Sequence, residues 1–375
     1  MRRNPFKPTA GASPPLLVGR QPVIEEFAES IGDGPGAPGR LTIFTGARGV
    51  GKTVMLTEVA DQTTQLGWVA ISETATPGLI GRLSHATTTR LDELSSHTRT
   101  GRAVTGLTLP VIGGGLTLSS PLPAQTDWRT GVGQLLDILE RNDTGLLITV
   151  DEVHQHARDD LRDLAATFQH LVREDRNVAL AVAGLPSAVS DLLNDDVLTF
   201  LRRANREVLK DVPLDDVRRA LHETITAEGR TITAEALDEA TEATSGYPFM
   251  IQLVGYHVWR KAHNDVIDLD AVRHGIPAAR KRLGSTVHET ALADLSAVDR
   301  TYLLAMSHDS GRSRTATVAQ RMGENAYYAG VYRSRLIDAG IIEPVGRGFV
   351  DFTIPYLREY LREHAARYEM NPPAV

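Results

Sequence analysis

From Leu41 to Val54 the chain reads LTIFTGARGVGKTV, an apolar run, a glycine-rich turn and a lysine-threonine pair in the order a phosphate cradle requires. Gly46, Gly49 and Gly51 permit backbone conformations that a Cβ disfavours. The main-chain N–H groups of Gly46, Ala47, Arg48, Gly49, Val50 and Gly51 can therefore converge on phosphate oxygens. Lys52 brings one ammonium to the β- and γ-phosphates and Thr53 offers a hydroxyl to Mg²⁺. The helix opening at Lys52, Thr53 and Val54 turns its positive end toward the anion. The spacing G-x-x-x-x-G-K-T is complete. It follows Leu41, Ile43 and Phe44 as a strand and precedes a helical run from Val54 to Leu66, the context in which such a loop works. ATP or ADP with Mg²⁺ is the ligand this chemistry selects.

A second apolar strand, Gly145 to Val150, ends in Asp151 and Glu152. An acid at the end of the strand beside the phosphate-loop strand holds Mg²⁺, directly or through water, which is the role expected of Asp151. The following carboxylate, Glu152, is placed to polarise an attacking water as general base. His154 and His156 flank the pair. Their i, i+2 spacing does not put them on one helix face, so they read as polar surface or support residues rather than metal ligands.

The elements that must position these groups alternate. Gly67 to Ser72, Asn177 to Ala183 and Glu207 to Leu209 are further short strands. Helices are expected at Leu79 to Leu94, Trp128 to Leu139, Leu161 to Val172 and Ser187 to Phe200. Strands alternating with helices predict an α/β fold, a three-layer parallel sheet covered on both faces. The threonine tract at 87 to 89 weakens the first of those helices. Thr105 to Ser119, two β-prone runs around Gly113 to Gly115, reads as an inserted hairpin. From Pro213 the strand signals cease and helices follow at Leu214 to Ala227, Thr233 to Thr244, Phe249 to Ala262 and Leu269 to Leu283. The last carries Arg280, Lys281 and Arg282 near its end as a solvated face.

The expected domains are an N-terminal arm at 1–15, an α/β nucleotide domain at 16–212 with its insert at about 101–125, and a helical lid at 213–290. A winged helix at 291–368 and a tail at 369–375 follow. The arm, rich in Pro, Gly, Ala and Ser, is expected to lie on the surface and bury little. The last domain runs helix (Ala297–Ser307), helix (Thr317–Met322), helix (Asn325–Ala339) and two strands within Ile341 to Thr353 turning at Gly346 to Gly348. In that order the third helix reads a groove, so Arg333 and Arg335, taken as exposed, and Arg347 at the wing tip are the candidates for double-stranded DNA. Asp338, Glu343 and Asp351 close by nearly cancel that charge and leave a protein-docking winged helix open as well.

The chain of 375 residues is long enough for two or three cores. Its net charge of −7 does not draw the whole molecule to nucleic acid, so any DNA-binding face would be local. It has no cysteine, which excludes disulfides and thiolate chemistry. No apolar run approaches the roughly 20 residues that span a bilayer, and Arg2-Arg3 is not followed by an apolar segment, so the cytoplasm is the expected location.

With these residues in place the chain resembles the AAA+ and STAND superfamily of P-loop ATPases, and more narrowly origin-recognition-like and archaeal-type ATP-binding proteins, over nearly its whole length. GARGVGKT and LLITVDE stand as the Walker A and Walker B motifs. The resemblance implies that Val18, Gly19 and Arg20 lie near the adenine, and that Arg202 or Arg203 reaches a neighbouring subunit's γ-phosphate as an arginine finger. It further implies that Pro248, in Gly246-Tyr247-Pro248, packs near the bound base or ribose. Two departures accompany it. The third strand ends in Ala-Gly-Leu-Pro, leaving Ser187 as a poor sensor, and the lid has GYPFMIQ where an arginine is common. Both imply slow hydrolysis and a conformational switch. Also open are an oligomeric DNA-associated ATPase of replication, transposition or plasmid maintenance, and an ATP-bound regulatory or defence protein whose winged helix docks protein.

Overall fold

The computed structural model describes residues 2–9, 11, 17–99, 127–153, 157–194 and 199–365. The expected hairpin insert and the histidines at 154 and 156 lie outside them. Five short runs, β1 (Leu41–Thr45), β2 (Val69–Thr74), β3 (Leu146–Val153), β4 (Val178–Gly184) and β5 (Asn205–Val208), pair in parallel in the order β2-β3-β4-β1-β5. Around them lie α1 (Gln21–Gly32), α2 (Lys52–Gln65), α3 (Leu79–Arg99), α4 (Trp128–Glu140), α5 (Arg158–Arg173) and α6 (Pro186–Asn194).

Alternation along β4 explains the layers. Val178, Leu180 and Val182 enter one core with residues of α3, α4 and α5. Ala179, Ala181 and Ala183 enter the other, with residues of α1 and α2. A strand buried on both faces reads as a continuous apolar run, as NVALAVA does. Arg40 fastens α1 to this sheet. Its guanidinium donates to the main-chain carbonyls of Ser30 and Ile31 and to Asn177 Oδ1, satisfying carbonyls at the helix end with a favourable positive charge.

Several local expectations are corrected. The strand that ends in the two acids is not the neighbour of β1, because β4 lies between them. The threonine tract does not shorten α3, which runs on to Arg99. Each hydroxyl of Thr87, Thr88 and Thr89 donates to the carbonyl four residues back, an internal outlet for groups that otherwise favour turns. Helix α6 begins at Pro186 instead of Ser187, and Thr199–Arg203 is a separate 3₁₀ turn.

Beyond β5 come α7 (Leu214–Ala227), α8 (Ala234–Glu242), α9 (Pro248–Lys261) and α10 (Leu269–Leu283). Strand pairing does not cease there. β6 (Thr231–Ile232) and β7 (Val266–Ile267) pair in parallel, each two residues long and too short to leave a periodic signal. A π-helical turn, Gly284–His288, carries α10 into α11 (Glu289–Ala293).

The last unit holds α12 (Ala297–Ser307), β8 (Ser313–Arg314), α13 (Thr315–Met322), α14 (Ala326–Asp338), β9 (Ile342–Pro344), β10 (Phe349–Phe352) and α15 (Leu357–Glu363). Its strands form an antiparallel sheet in the order β8-β10-β9, one strand more than the sequence pattern suggested. The N-terminal arm also departs from expectation, because Pro5 and Phe6 are buried. Among the described residues no helix is long and apolar enough to cross a membrane.

Candidate functional site

The phosphate loop joins β1 to α2, and its glycines answer to specific neighbours. A Cβ on Gly46 (φ +155°) would stand 2.5 Å from the Leu209 carbonyl oxygen, and one on Gly49 (φ +76°) 1.8 Å from Tyr247 Oη. Lys52 opens α2 and donates from Nζ to the carbonyls of Gly46 (2.9 Å) and Ala47 (2.7 Å), so its ammonium sits inside the curve of the loop. Burial pushes that ammonium down to about 8. Asp151 and Glu152 pull it back up, and Arg48 opposes them.

Although β4 separates β1 from β3, the two halves of the site meet. Thr53 Oγ1 donates to Asp151 Oδ2 at 2.6 Å, and the Glu152 main-chain N–H donates to Asp151 Oδ1 at 2.8 Å. The β3–β4 register shifts between Val150 and Val153, and within that bulge Glu152 takes a left-handed φ of +54°. A non-glycine residue there stores backbone strain, which collects where a side chain must be aimed. The Glu152 side chain is exposed, and it faces the same cleft as Asp151, Lys52 and Thr53.

That cleft has a volume of about 820 Å³, which suits a nucleotide-sized ligand. Of the sequence-predicted residues it is lined by Val18, Arg20, Arg48, Gly49, Val50, Gly51, Lys52, Thr53, Val54, Asp151, Glu152 and Pro248. Gly46 and Ala47 lie behind the lining, where their carbonyls receive Lys52. Gly19 (φ +66°) is exposed and outside the lining, where a Cβ would stand 3.5 Å from Val212 Cγ1, while the half-buried Arg20 donates to the Lys210 carbonyl. Burial lowers the Arg20 pKa, and Asp211 partly restores it.

The donor set fits a magnesium nucleotide: amides at a helix N-terminus, one ammonium, and a hydroxyl and carboxylate already 2.6 Å apart. Thr53 and Asp151 are the residues that would hold Mg²⁺, whose bound charge neutralises phosphate oxygens. Sequence reasoning missed other lining groups: Lys7, Pro8 and Thr9 of the arm, Gln252 of α9, Arg282 at the end of α10 and Thr286 in the π-helical turn. The sequence places Arg282 on a solvated face; helix periodicity does not show that the end of α10 comes back to the cleft.

Arg202 and Arg203 lie outside the cleft lining. Arg202 Nε donates to the Leu193 carbonyl at 2.7 Å, and Arg203 is exposed beside it. The three arginines of the last unit also part ways. Arg333 is half-buried rather than exposed, with an Nε that is buried and finds no partner, because α14 turns that side toward Tyr302 of α12. Arg335 is exposed but pairs at 3.0 Å with the buried carboxylate of Asp299. Arg347 is exposed at the β9–β10 turn.

Contacts also reach the phosphate loop from outside its own unit. Tyr247, at the turn before α9, donates from Oη to the Arg48 carbonyl at 2.7 Å. Arg48 pairs with Asp294 at 3.4 Å, Ser187 Oγ donates to the Asp338 carbonyl, and a Cβ on Gly340 would be 3.8 Å from Ala47 Cα.

Residues 16–182 match the AAA ATPase domain, and residues 285–361 match a domain of unknown function, DUF8462. No curated protein matches the sequence. Among solved structures, a Walker-type ATPase of Pyrococcus abyssi is similar with a TM-score of 0.65 at 15% identity, covering 92% of this chain and 96% of that one. The ORC2 protein of Aeropyrum pernix, solved as ADPNP and ADP complexes, gives 0.60 at 13% identity, covering 96% and 98%. At such identities the likeness speaks for the fold. Residues 16–182 therefore form an AAA ATPase domain of the P-loop class, and over almost the full length the fold is similar to those of the two archaeal proteins.

Proposed function

We propose that this protein binds Mg-ATP between its α/β sheet and its helical lid, hydrolyses it slowly, and uses the nucleotide state to reorient a C-terminal winged helix. The domains read from the sequence, 16–212, 213–290 and 291–368, are the moving parts of this reading. One observation carries it: Arg48, inside the phosphate loop, pairs with Asp294 at the entrance to the last unit. A ligand that draws Arg48 toward its phosphates weakens that tie, and binding shifts the arrangement by the difference in affinity for the two states.

In this reading Lys52 and the loop amides hold the phosphates, and Glu152 accepts the proton of the attacking water. Slow turnover is supported by the end of β4, where the Ser187 hydroxyl is committed to the Asp338 carbonyl rather than to the cleft. The decisive experiment measures nucleotide binding and phosphate release in two variants. Lys52→Ala loses binding or hydrolysis, and Glu152→Gln keeps binding and loses hydrolysis. Unchanged turnover in both removes the assignment.

For the winged helix, α14 favours a protein partner over duplex DNA. Its outward face carries Tyr327 at 85% and Val331 at 47% exposure, and Arg335 is held by Asp299. Gel shifts with mixed duplexes at two salt concentrations decide between them, since phosphate contacts weaken steeply with salt. No affinity at either salt supports docking. Salt-sensitive affinity that falls in Arg347→Ala supports the DNA-associated, oligomeric alternative.

A further inference from the structure

We propose that the N-terminal segment Arg2–Thr9 is a strap belonging to the nucleotide site: Phe6 locks it onto the lid helix α9, and Lys7 and Thr9 are ligand-contacting residues at the cleft. This rests on the reading of the cleft as the nucleotide site and adds to it residues that lie outside every motif in the sequence.

The strap can be followed residue by residue. At the far end of the lid the Arg2 guanidinium pairs with Asp265 at 3.1 Å. Asn4 Nδ2 donates to the Tyr256 carbonyl at 3.0 Å, while Asn4 Oδ1 accepts from the Phe6 N–H at 3.1 Å. The Phe6 ring is 3% exposed and lies on Gly255, where a Cβ would stand 2.3 Å from ring atoms. Glycine in mid-helix sacrifices helix stability, so its presence calls for a packing reason. The notch it leaves for Phe6 is that reason. Next the Lys7 N–H donates to Gln252 Oε1 at 3.1 Å, and Thr9 N–H returns to the Lys7 carbonyl at 2.8 Å in a tight turn.

That turn delivers Lys7, Pro8 and Thr9 to the cleft wall, and Gly11 stands where a Cβ would be 3.9 Å from Thr53 Cγ2. One stretch of chain therefore starts at the lid's outer end and finishes beside the phosphate loop. The hydrogen bonds and ion pair that hold it run to the lid, so it extends the lid-side wall of the cleft, and a bound nucleotide leaves more slowly than from a cleft without it. Lys7 adds a positive charge to a site built for an anion.

The test is stopped-flow release of a fluorescent anthraniloyl-ADP with Mg²⁺ from the full chain. Phe6→Ala empties the notch, and Gly255→Ala fills it from the helix side while improving helix propensity. The same contact is thus broken in two independent ways. Each is expected to speed release about tenfold, with the double variant no faster than either single one, since both act through one contact. Lys7→Gln, at an exposed position, is expected to weaken affinity severalfold, with the difference from wild type shrinking at high salt.

Wild-type release rates in both Phe6→Ala and Gly255→Ala, or additive effects in the double variant, overturn the strap while leaving the nucleotide site intact. Failure of the wild-type chain to bind any magnesium nucleotide instead overturns the reading of the cleft itself.

Discussion

Tyr247 Oη donates to the main-chain carbonyl of Arg48 at 2.7 Å, tying the turn that opens the lid helix α9 to the middle of the phosphate loop. The phenol is fully buried, and burial pushes its pKa well above the ordinary tyrosine range, so it stays a donor. Tyr247→Phe leaves the Arg48 carbonyl without this donor and is expected to cost about 1–2 kcal/mol in urea unfolding, with weaker nucleotide binding. Gly49→Ala should be far worse, because its Cβ would meet the same phenol at 1.8 Å on a backbone with φ +76°. Equal affinities in wild type and Tyr247→Phe would mean that the turn only packs against the loop.

Strain at Glu152 separates stability from turnover. Its φ of +54° suits glycine, so Glu152→Gly removes a cost on the order of 1 kcal/mol while deleting the carboxylate that faces the cleft. The expected outcome is unfolding at the same or higher urea concentration, with phosphate release lowered roughly 10²-fold or more. Retained turnover would assign the proton-accepting role elsewhere.

The two arginines after α6 are not equivalent. Both are exposed, but Arg202 is engaged by the Leu193 carbonyl, which leaves Arg203 the better placed to reach a second subunit. If the chain assembles, Arg203→Ala lowers turnover per subunit only at concentrations where light scattering detects oligomers. Arg202→Ala lowers thermal stability at every concentration. Turnover of Arg203→Ala equal to wild type in the assembled state would remove the finger.

The parts of this protein that were legible beforehand are those with a local signature. The phosphate loop announces itself through glycines and the spacing to Lys52 and Thr53, and the sheet through apolar runs such as NVALAVA. What stayed hidden depends on contacts between residues far apart in sequence. Neither the insertion of β4 between β1 and β3 nor the return of Arg282 to the cleft leaves any periodicity. Phe6 is the instructive case: a lone aromatic in a proline-rich arm and a lone glycine in an apolar helix each look unremarkable, and only their juxtaposition explains both. Arg333 and Arg335 show the converse limit. Helical spacing alone could not reveal that Asp299 and Tyr302 of α12 occupy that side of α14.

The π-helical turn contains a titrating group whose sign can be worked out. His288 is 1% exposed, its Nε2 lies 2.9 Å from the Pro355 carbonyl, and the Tyr360 ring packs against it. Burial pushes its pKa down to about 4, with the Pro355 hydrogen bond opposing and His364 assisting. An unfolded histidine titrates near 6.5. Between about 4 and 6.5 the unfolded chain therefore binds more protons, and stability rises with pH. The contribution is complete above about 6.5 and is lost as pH falls through about 4, an effect on the order of 3 kcal/mol. His288→Gln keeps a donor for Pro355 and cannot titrate, so urea midpoints measured across this window should follow a shallower slope than in wild type. Because Tyr360 also reaches Glu289 at 3.2 Å, the loss at low pH should appear first as release of α15 from the π turn, seen as faster amide exchange at 357–363. Parallel pH slopes in the two proteins would show that His288 does not set the acid limit.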